Sequence, residues 1–430
     1  MLFVYIETLG CKVNQYESAC IINDFKKHGF ENTNDITLAD VIIINTCTVT
    51  NRADYKSRNL INKAKKIKLE NSDVKIVVTG CYSQQNRSEL LRTGYIDLIV
   101  DNNHKSQIYE QIASFLISKE HIKQQGSFSE ANSFVEFTEM NTTEMFGRNR
   151  GVLKIQDGCN FSCAYCIVPS VRGIPRSRSI ESIENQVKIL LENGYQEIVL
   201  SGINLGLYEN LPTLLYRLDN FRYLKSIRLS SIEPQLFTEH LLKAISDIDK
   251  ICPHFHIPLQ TGNDALLKLH NRRYTTSYIK DLINTLHSKK LYPAIGFDII
   301  VGLPGETEEF FHDTFSLLEY LDFTYLHVFN FSKRKGTPAY YMDNQVHGTI
   351  AKKRSEKLIN LSEKKKNKYI NTLINQKIEL LVNIEGYDEK TKLYYGTSDR
   401  YVKVYTPSNI DSSNKKIPHM SIYKNSILCN

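Results

Sequence analysis

Runs of apolar, β-branched residues alternate with helical segments along most of this chain, and this alternation constrains the fold more than any other feature. Predicted strands occupy residues 3–8, 41–46, 75–79 and 96–100, and predicted helices occupy residues 17–28 and 53–68. Continuous apolar strands separated by helices are typical of a parallel sheet covered on both faces. The sequence therefore predicts an α/β fold that begins with a flavodoxin- or Rossmann-like parallel-sheet domain over residues 1–118.

The same alternation restarts after a polar stretch, residues 119–148, that we interpret as a linker. Six more strands are predicted, at residues 152–156, 197–200, 226–229, 254–258, 294–300 and 325–329, with helices that include residues 181–193, 276–289 and 308–321. Six strand–helix units indicate a partial (β/α)6 barrel over residues 149–350 rather than the closed eight-unit form. A basic connecting helix, residues 351–374, and a small β-barrel, residues 375–430, are predicted to follow.

Composition narrows the class of protein. No stretch approaches the roughly 20 consecutive apolar residues of a membrane span, and the N-terminus lacks the basic start and cleavage site of a signal peptide. We therefore expect a cytoplasmic protein with no membrane partner. Nine cysteines are present, and in a reducing cytosol clustered cysteines more often hold metal or do chemistry than form disulfides.

The positive charge is concentrated at the end of the chain. The last 80 residues hold 16 Lys and Arg against eight Asp and Glu, while the first 350 hold 38 against 39. A basic terminal module on a neutral body suggests a polyanionic partner such as nucleic acid. A Lys-rich solvated helix explains the charge equally well.

Three cysteines, Cys159, Cys163 and Cys166, form the strongest motif. They follow a predicted barrel strand at its carboxyl end, where barrel active sites gather. Three thiolates can hold three irons of a 4Fe–4S cluster, which leaves the fourth iron open to another ligand. The alternatives are buried free thiols or a zinc site, but structural zinc has four ligands, and Cys163 and Cys166 would need two more at a matching separation. The aromatic residue Tyr165 precedes the third cysteine, as is usual in the radical S-adenosylmethionine (SAM) loop.

A second set consists of Cys11, Cys47 and Cys81, each at or just after the end of one of the first three predicted strands. Their separations of 36 and 34 residues are about one strand–helix unit each. Open α/β sheets bind ligands at the carboxyl ends of their strands, so we expect these thiols to converge on a second cluster. The alternative is three unrelated buried cysteines, since cysteine is a common core residue.

Three further cysteines, Cys20, Cys252 and Cys429, have no such partners. Cys252 begins the segment Cys-Pro-His-Phe-His, which contains His254 and His256. Histidines with a period of two on a barrel strand face one side of the sheet, so we interpret them as pocket residues rather than metal ligands.

With these residues in place, the chain resembles the radical SAM methylthiotransferase family over essentially its whole length. The matching segments, in order, are GCKVN (10–14), NTC (45–47), VTGC (78–81), QDGCN (156–160), HIPLQTG (256–262), GFDIIVGLPGE (296–306) and HVFNFS (327–332). The opening segment GCKVNQYES is most similar to the bacterial branch that acts on N6-threonylcarbamoyladenosine at position 37 of tRNA. The isopentenyladenosine branch typically has GCQMN there, and the branch that modifies a ribosomal-protein aspartate has GCPKN.

The resemblance implies two 4Fe–4S clusters and two uses of SAM. One SAM would donate a methyl group to a sulfur of the auxiliary cluster, and another would be cleaved to the 5′-deoxyadenosyl radical that activates carbon 2 of the adenine. External donors would supply the electron and the sulfur. The implied SAM contacts, besides Tyr165, are Ser201, Gly202, Asn204, Arg228, Ser230, Glu233 and Ile300.

The resemblance also implies a monomer that binds the anticodon loop of tRNA through a TRAM-like tail, although the tail lacks the usual Gly near Asn375 and is short at its end. The basic residues expected near RNA are Lys333, Arg334, Lys335, Lys403, Lys415, Lys416 and Lys424, and the tyrosines expected to stack on bases or to pack within the sheet are Tyr394, Tyr395, Tyr401 and Tyr405. Two other hypotheses stay open: a protein methylthiotransferase, and an iron–sulfur RNA-binding protein that consumes no SAM.

Overall fold

The structure is a computed structural model that describes residues 1–118, 128–407, 415–417, 420–423 and 426–429. The N-terminal domain alternates strands and helices, as the sequence predicts. Its elements are β1 (Leu2–Thr8), α1 (Lys12–Lys27), β2 (Phe30–Asn32), β3 (Val41–Thr46), α2 (Asn51–Glu70), β4 (Lys75–Gly80), α3 (Cys81–Gln85), α4 (Arg87–Leu91), β5 (Leu98–Val100) and α5 (Ile108–Ser118).

The five strands of this domain form one parallel sheet in the order β2-β1-β3-β4-β5. This is the flavodoxin-like order, in which the chain reverses direction between β1 and β3. Every residue of β3 and β4 is buried, which explains why both strands are nearly continuous apolar runs. The edge strand β2 was not predicted, because three residues are too few to show a period.

The second domain supplies the barrel. Its elements are β6 (Gly151–Lys154), β7 (Gln156–Asp157), α6 (Val168–Arg172), β8 (Arg176–Ser177), α7 (Ile180–Glu192), β9 (Glu197–Ser201), α8 (Leu211–Asp219), β10 (Ser226–Leu229), α9 (Glu239–Asp247), β11 (His254–Gln260), α10 (Asp264–Leu269), α11 (Thr276–Lys289), β12 (Ala294–Val301), α12 (Glu308–Tyr320), β13 (Tyr325–Asn330) and α13 (Pro338–Tyr341).

The barrel is open and contains six parallel strands. Three pair in the order β10-β9-β6 and three in the order β11-β12-β13. A parallel bridge between Ile227 of β10 and Ile251, which lies just before β11, links the two groups. This arrangement confirms the predicted partial (β/α)6 barrel.

The segment before the barrel is packed rather than extended. Phe134, Met140 and Met145 are buried, the hydroxyl of Tyr16 on α1 donates to the carbonyl of Met140, and Gln186 on α7 donates to the carbonyl of Thr142. The described part of the predicted linker therefore joins the first domain to the barrel wall. Its weak periodicity reflects irregular backbone whose partners lie in other elements.

A long helix and a small sheet complete the chain. The helix is α14 (Gly348–Asn375), and the strands are β14 (Leu380–Asp388), β15 (Leu393–Ser398), β16 (Lys403–Thr406), β17 (Lys415–Ile417), β18 (Met420–Tyr423) and β19 (Ser426–Cys429). The strands form one mixed sheet in the order β17-β14-β15-β16-β19-β18. No helix in the described part of the chain is long and apolar enough to cross a membrane.

Candidate active site

The first cysteine set lies at the carboxyl edge of the N-terminal sheet. Cys11 follows β1, Cys47 follows β3 and Cys81 begins α3 directly after β4. This edge contains the point between β1 and β3 where such sheets bind ligands. The glycines before Cys11 and Cys81 are required by the geometry, because Gly10 and Gly80 have φ angles of +95° and +100°. A Cβ on Gly10 would stand 2.9 Å from the Cys47 sulfur.

The three thiols of this set influence one another. The pKa of Cys47 is raised to about 12, mainly by burial and in smaller part by Cys81 and Cys11. Cys81 packs against Ile167 and Val171, so this set touches the segment that follows the second set.

The second cysteine set lies on the loop between β7 and α6. The amide of Cys159 donates to the Gly173 carbonyl at 2.9 Å, and the amide of Cys166 donates to the Cys163 carbonyl at 3.0 Å. The pKa of Cys166 is raised to about 12, mainly by burial and in smaller part by Cys163 and Cys159. Arg272 donates to the Cys163 sulfur at 3.2 Å. The loop therefore holds its three sulfurs close together beside a cation.

One cavity borders residues from both cysteine segments. Its volume is about 200 Å³. Val49 and Thr50, just after Cys47, line one side, and Tyr165 and Cys166 line the other. The cavity lies between the two domains, where a molecule can contact both sites.

Several expected SAM contacts surround the second cysteine loop. The Asn204 side chain bonds to the Cys159 sulfur, which lowers the pKa of that thiol against the larger increase from burial. Glu233 accepts a hydrogen bond from Arg272 at 3.1 Å, and Ile300 and Tyr165 line the cavity. Ser201 ends β9, and a Cβ on Gly202 would stand 2.8 Å from the side-chain oxygen of Gln156.

Unpartnered polar atoms support a polar ligand in this region. Among the described residues, the Asn204 Oδ1, the Ser230 Oγ and the Tyr165 hydroxyl are buried without a hydrogen-bond partner. Buried polar atoms are normally satisfied. These residues therefore fit a bound molecule with several polar groups, as SAM has.

Arg228 lies apart from this group. Its guanidinium is buried, donates to Glu197 at 2.7 Å, and donates to the Ser398 and Asp399 carbonyls at 3.0 Å each. These contacts tie the barrel to the C-terminal sheet. The expected contact of Arg228 with the ribose or carboxylate of SAM does not agree with this placement, because its donors are directed to partners in the protein.

Two expected RNA contacts are also placed differently. Arg334 is buried and bonds to Asp54 and Asn51 at the start of α2, so it joins the two domains. Tyr401 stacks on His254 with ring centroids 4.6 Å apart and lies 5.7 Å from the Tyr325 ring. Tyr401 therefore packs against residues of the barrel.

The other tail residues are consistent with a surface role. The Lys403 ammonium lies 4.8 Å from the ring centroids of both Tyr395 and Tyr405. Tyr394 packs against the Tyr387 ring. Lys333 and Lys335 are exposed. Lys415 and Lys416 belong to β17, and Lys424 lies outside the described residues.

Sequence reasoning missed a buried charge network between the domains. Glu17 on α1 accepts from Arg172 at 2.7 Å and from Lys154 at 2.8 Å, and it also pairs with Lys105. Asp157 pairs with Lys154 at 2.6 Å. Burial raises the pKa of Glu17, but the three cations outweigh this and hold it well below its usual range. Glu17 and Asp157 lay within quoted motifs, and the sequence carries no signal for their basic partners.

Comparisons with known proteins identify the family. A family model described as "Uncharacterized protein family UPF0004" matches residues 3–101, and the "Radical SAM superfamily" model matches residues 153–318. A threonylcarbamoyladenosine tRNA methylthiotransferase MtaB from Bacillus subtilis (strain 168) is 38% identical over 415 residues, which cover 94% of this chain and 90% of that protein. The chain belongs to the radical SAM methylthiotransferase family.

Further relatives of this radical SAM methylthiotransferase support the same conclusion. The MtaB protein of Aquifex aeolicus is 36% identical, with coverage of 91% of this chain and 98% of that protein. A tRNA-2-methylthio-N(6)-dimethylallyladenosine synthase of Clostridium tetani is 32% identical, with coverage of 90% and 87%. As a radical SAM enzyme, the protein uses SAM and a 4Fe–4S cluster, and Cys159, Cys163 and Cys166 fit that cluster.

Solved structures show the same fold at low identity. The radical SAM methyltransferase TsrM from Kitasatospora setae superposes with a TM-score of 0.59 at 14% identity, covering 79% of this chain and 77% of that chain. The cobalamin-dependent SAM radical enzyme OxsB superposes with a TM-score of 0.53 at 12% identity, covering 92% and 64%. Both structures agree with the predicted fold class.

Proposed function

We propose that this methylthiotransferase converts N6-threonylcarbamoyladenosine at position 37 of tRNA to its 2-methylthio derivative. The observation that carries the proposal is the cavity of about 200 Å³ that borders both cysteine segments. A reaction that joins a sulfur group to a radical-activated carbon needs two reactive centres on one substrate. Two relatives of the same name, at 38% and 36% identity, favour the threonylcarbamoyl substrate, as does the opening segment at residues 10–18.

The proposal assigns a second 4Fe–4S cluster to Cys11, Cys47 and Cys81. When bound, SAM would supply both the methyl group and the 5′-deoxyadenosyl radical, and the clusters would pass on the electron and the sulfur that external donors provide. Separate cysteine sets are needed because one open iron cannot hold SAM and the sulfur together. Tyr165, Ser201, Gly202, Asn204, Ser230, Glu233 and Ile300 are the residues assigned to SAM.

The remaining parts of the protein support this chemistry. Residues 1–118 hold the auxiliary cluster, residues 149–350 hold the radical SAM site, and residues 375–430 bind the anticodon loop of tRNA. Backbone phosphate contacts from exposed lysines such as Lys403 would position the RNA without reading its sequence. We propose a cytoplasmic monomer that takes its electron and its sulfur from external donors.

Mass spectrometry of tRNA nucleosides tests the function. We expect cells that lack the gene to lose 2-methylthio-N6-threonylcarbamoyladenosine and to accumulate its unthiolated precursor. The wild-type gene restores the product, and a variant with Cys159, Cys163 and Cys166 replaced by alanine does not. This control separates the reaction from any effect of the protein's presence.

Two other outcomes would redirect the assignment. Loss of the isopentenyl derivative instead would assign the second tRNA branch, to which the Clostridium tetani relative belongs by name. An unchanged set of tRNA nucleosides would contradict the proposal and favour a ribosomal-protein aspartate as the substrate.

A further inference from the structure

Three barrel strands bring two histidines and a carboxylate together on one face of the sheet. His256 lies on β11, Asp298 on β12 and His327 on β13, and Asp298 is the direct register partner of His327. The His256 Nε2 lies 2.8 Å from the Asp298 Oδ1, and the His327 Nδ1 lies 3.3 Å from the same oxygen. The expected SAM contacts do not include these residues.

A series of hydrogen bonds through Tyr325 positions these three residues. The Tyr325 hydroxyl lies 2.8 Å from the His254 Nε2 and 3.0 Å from the His256 Nδ1. With neutral histidines, His254 donates to Tyr325, Tyr325 donates to His256, and His256 donates to Asp298. Every donor in this series of hydrogen bonds then has an acceptor, and the series therefore positions the Asp298 carboxylate.

Gly296 makes this series of hydrogen bonds possible. A Cβ on Gly296 would stand 2.2 Å from the Tyr325 ring. The ring therefore crosses β12 where only glycine leaves room for it. This close approach lets the Tyr325 hydroxyl reach both His254 and His256.

One oxygen of Asp298 remains available. Among the described residues, both recorded contacts of the Asp298 carboxylate use its Oδ1, and Asp298 lines the cavity between the cysteine segments. Burial raises its pKa, but hydrogen bonds from His256 and His327 lower it more, and the net pKa is below the usual range. The carboxylate that lines the cavity is therefore ionised, and its second oxygen can accept a hydrogen bond.

An exposed aromatic ring stands beside this oxygen. Phe329 is 41% exposed although it belongs to a barrel strand, and it lines the same cavity. It is the register partner of Ile300, as His327 is of Asp298. Proteins that act on a base outside its stack hold the ring against aromatic side chains and hydrogen-bond its edge. A carboxylate beside a free aromatic ring suits a planar ring with an N–H donor.

We propose that Asp298 and Phe329 bind the adenine of the substrate nucleotide, with the Asp298 carboxylate accepting the hydrogen of N6 and Phe329 stacking on the ring. This inference rests on the proposed function and deepens it, since it names the residues that recognise the base. Ile300, assigned to SAM, lies two residues further along β12, about 6.6 Å away. The adenine of the substrate and the adenine of SAM would thus lie at neighbouring positions along β12. His256 and His327 are positioning residues that act through Asp298.

The test compares two synthetic anticodon stem–loop RNAs, one with N6-threonylcarbamoyladenosine and one with its N6-methylated form, which has no hydrogen on N6. We expect the wild-type enzyme to lose at least tenfold in kcat/KM with the methylated RNA. Asp298→Asn should lower kcat/KM at least tenfold with the unmethylated RNA. Its kcat/KM with the N6-methylated RNA should be no lower than that. Asp322→Asn is the matched control, because Asp322 also lies near a histidine, His287, but on the outside of the barrel.

Four results would overturn the inference. The first is an equal kcat/KM of the wild-type enzyme with the two RNAs. The second is an Asp298→Asn enzyme whose kcat/KM falls by the same factor with both RNAs. A raised KM for SAM with the N6 effect intact would assign Asp298 to SAM. The fourth is one equivalent of bound divalent metal that remains when all six cluster cysteines are replaced by alanine and is lost with Asp298→Asn. This result would show that His256, Asp298 and His327 form a metal site.

The failure of the proposed function is distinguishable from these results. In that case neither the wild-type enzyme nor the Asp322→Asn control methylthiolates either RNA, whereas both still form 5′-deoxyadenosine. If instead the wild-type enzyme methylthiolates both RNAs equally well, the function stands and the assignment of Asp298 is wrong.

Discussion

At the scale of single residues, the two cysteine sets have separable tasks. Cys159, Cys163 and Cys166 lie among the expected SAM contacts, and the Asn204 side chain bonds to one of their sulfurs. Cys11, Cys47 and Cys81 lie at the carboxyl edge of the N-terminal sheet, and Val49 and Thr50, just after Cys47, line the cavity. The loss of one set should therefore leave the chemistry of the other intact.

Replacement of each set by alanine tests this separation. We expect the triple variant at Cys159, Cys163 and Cys166 to form no 5′-deoxyadenosine. The triple variant at Cys11, Cys47 and Cys81 should still cleave SAM but transfer no methylthio group. Chromatography of both products under reducing, anaerobic conditions measures the two steps.

A buried cysteine outside both sets provides the control. Cys20→Ala should retain both activities, because Cys20 is a core residue of α1. Radical formation that survived the first triple change would contradict the assignment of the SAM site. Full transfer after the second would remove the auxiliary cluster from the mechanism.

Glu17 supports a second prediction at this scale. Glu17→Gln leaves Arg172, Lys154 and Lys105 buried without their shared acid. Breaking a buried charge network by removing one partner costs about 3–5 kcal/mol, and we expect a loss of that size in the free energy of unfolding. Denaturant unfolding followed by circular dichroism measures it. The exposed pair of Glu184 with Arg217 is the control, since Glu184→Gln should cost no more than about 1 kcal/mol.

The pH dependence of stability follows from the same carboxylate. The pKa of Glu17 is depressed in the folded protein, so its contribution is present above the unfolded value of about 4.3 and is lost as pH falls through the folded value. The difference between the wild type and Glu17→Gln should therefore shrink below about pH 4. A difference that stayed constant on acidification would contradict the assigned ionisation.

At the scale of elements, the turn from β4 into α3 places the third auxiliary cysteine. Gly80 has a φ angle of +100°, and a Cβ there would stand 2.3 Å from the Thr46 carbonyl oxygen. This contact is with backbone, which cannot move aside without opening the β3–β4 pairing. The position of Cys81 therefore depends on a residue without a side chain.

We expect Gly80→Ala to lower cluster occupancy of the first set after reconstitution, with iron falling from about eight to about four atoms per chain. Iron and sulfide analysis measures this loss. Gly194→Ala is the control, because Gly194 also has a positive φ angle, +89°, but has no atom within 4 Å of an added Cβ. If both variants retain full iron content, the turn does not determine the site.

At the scale of the whole molecule, the positive charge lies in the last 80 residues while the cysteines of the active site lie in the first two domains. We expect Lys403→Gln to weaken tRNA binding and to reduce the slope of log affinity against log salt by about one. Fluorescence anisotropy at several salt concentrations measures the slope. Lys188→Gln on α7 is the control, since Lys188 is exposed on the barrel wall. An unchanged slope for Lys403→Gln would show that RNA binds elsewhere.

The sequence by itself determined the fold class, and it was enough to predict the order of the domains and to single out both cysteine sets. Strands that are buried on both faces must be apolar throughout, so the parallel sheet and the barrel are visible as local patterns. The cysteines are equally visible because they follow those strands at regular separations. The short edge strand β2 was missed because three residues carry no period.

Only the tertiary structure decided what the charged and aromatic residues do. Arg334 and Arg228 were expected at RNA and at SAM, but their partners are Asp54 and the carbonyls of Ser398 and Asp399, far away in the sequence. The carboxylate of Asp298 likewise depends on histidines from two other strands. An ion pair or a hydrogen bond is a property of two positions in space, whereas burial patterns and metal-ligand spacing are properties of one stretch of chain.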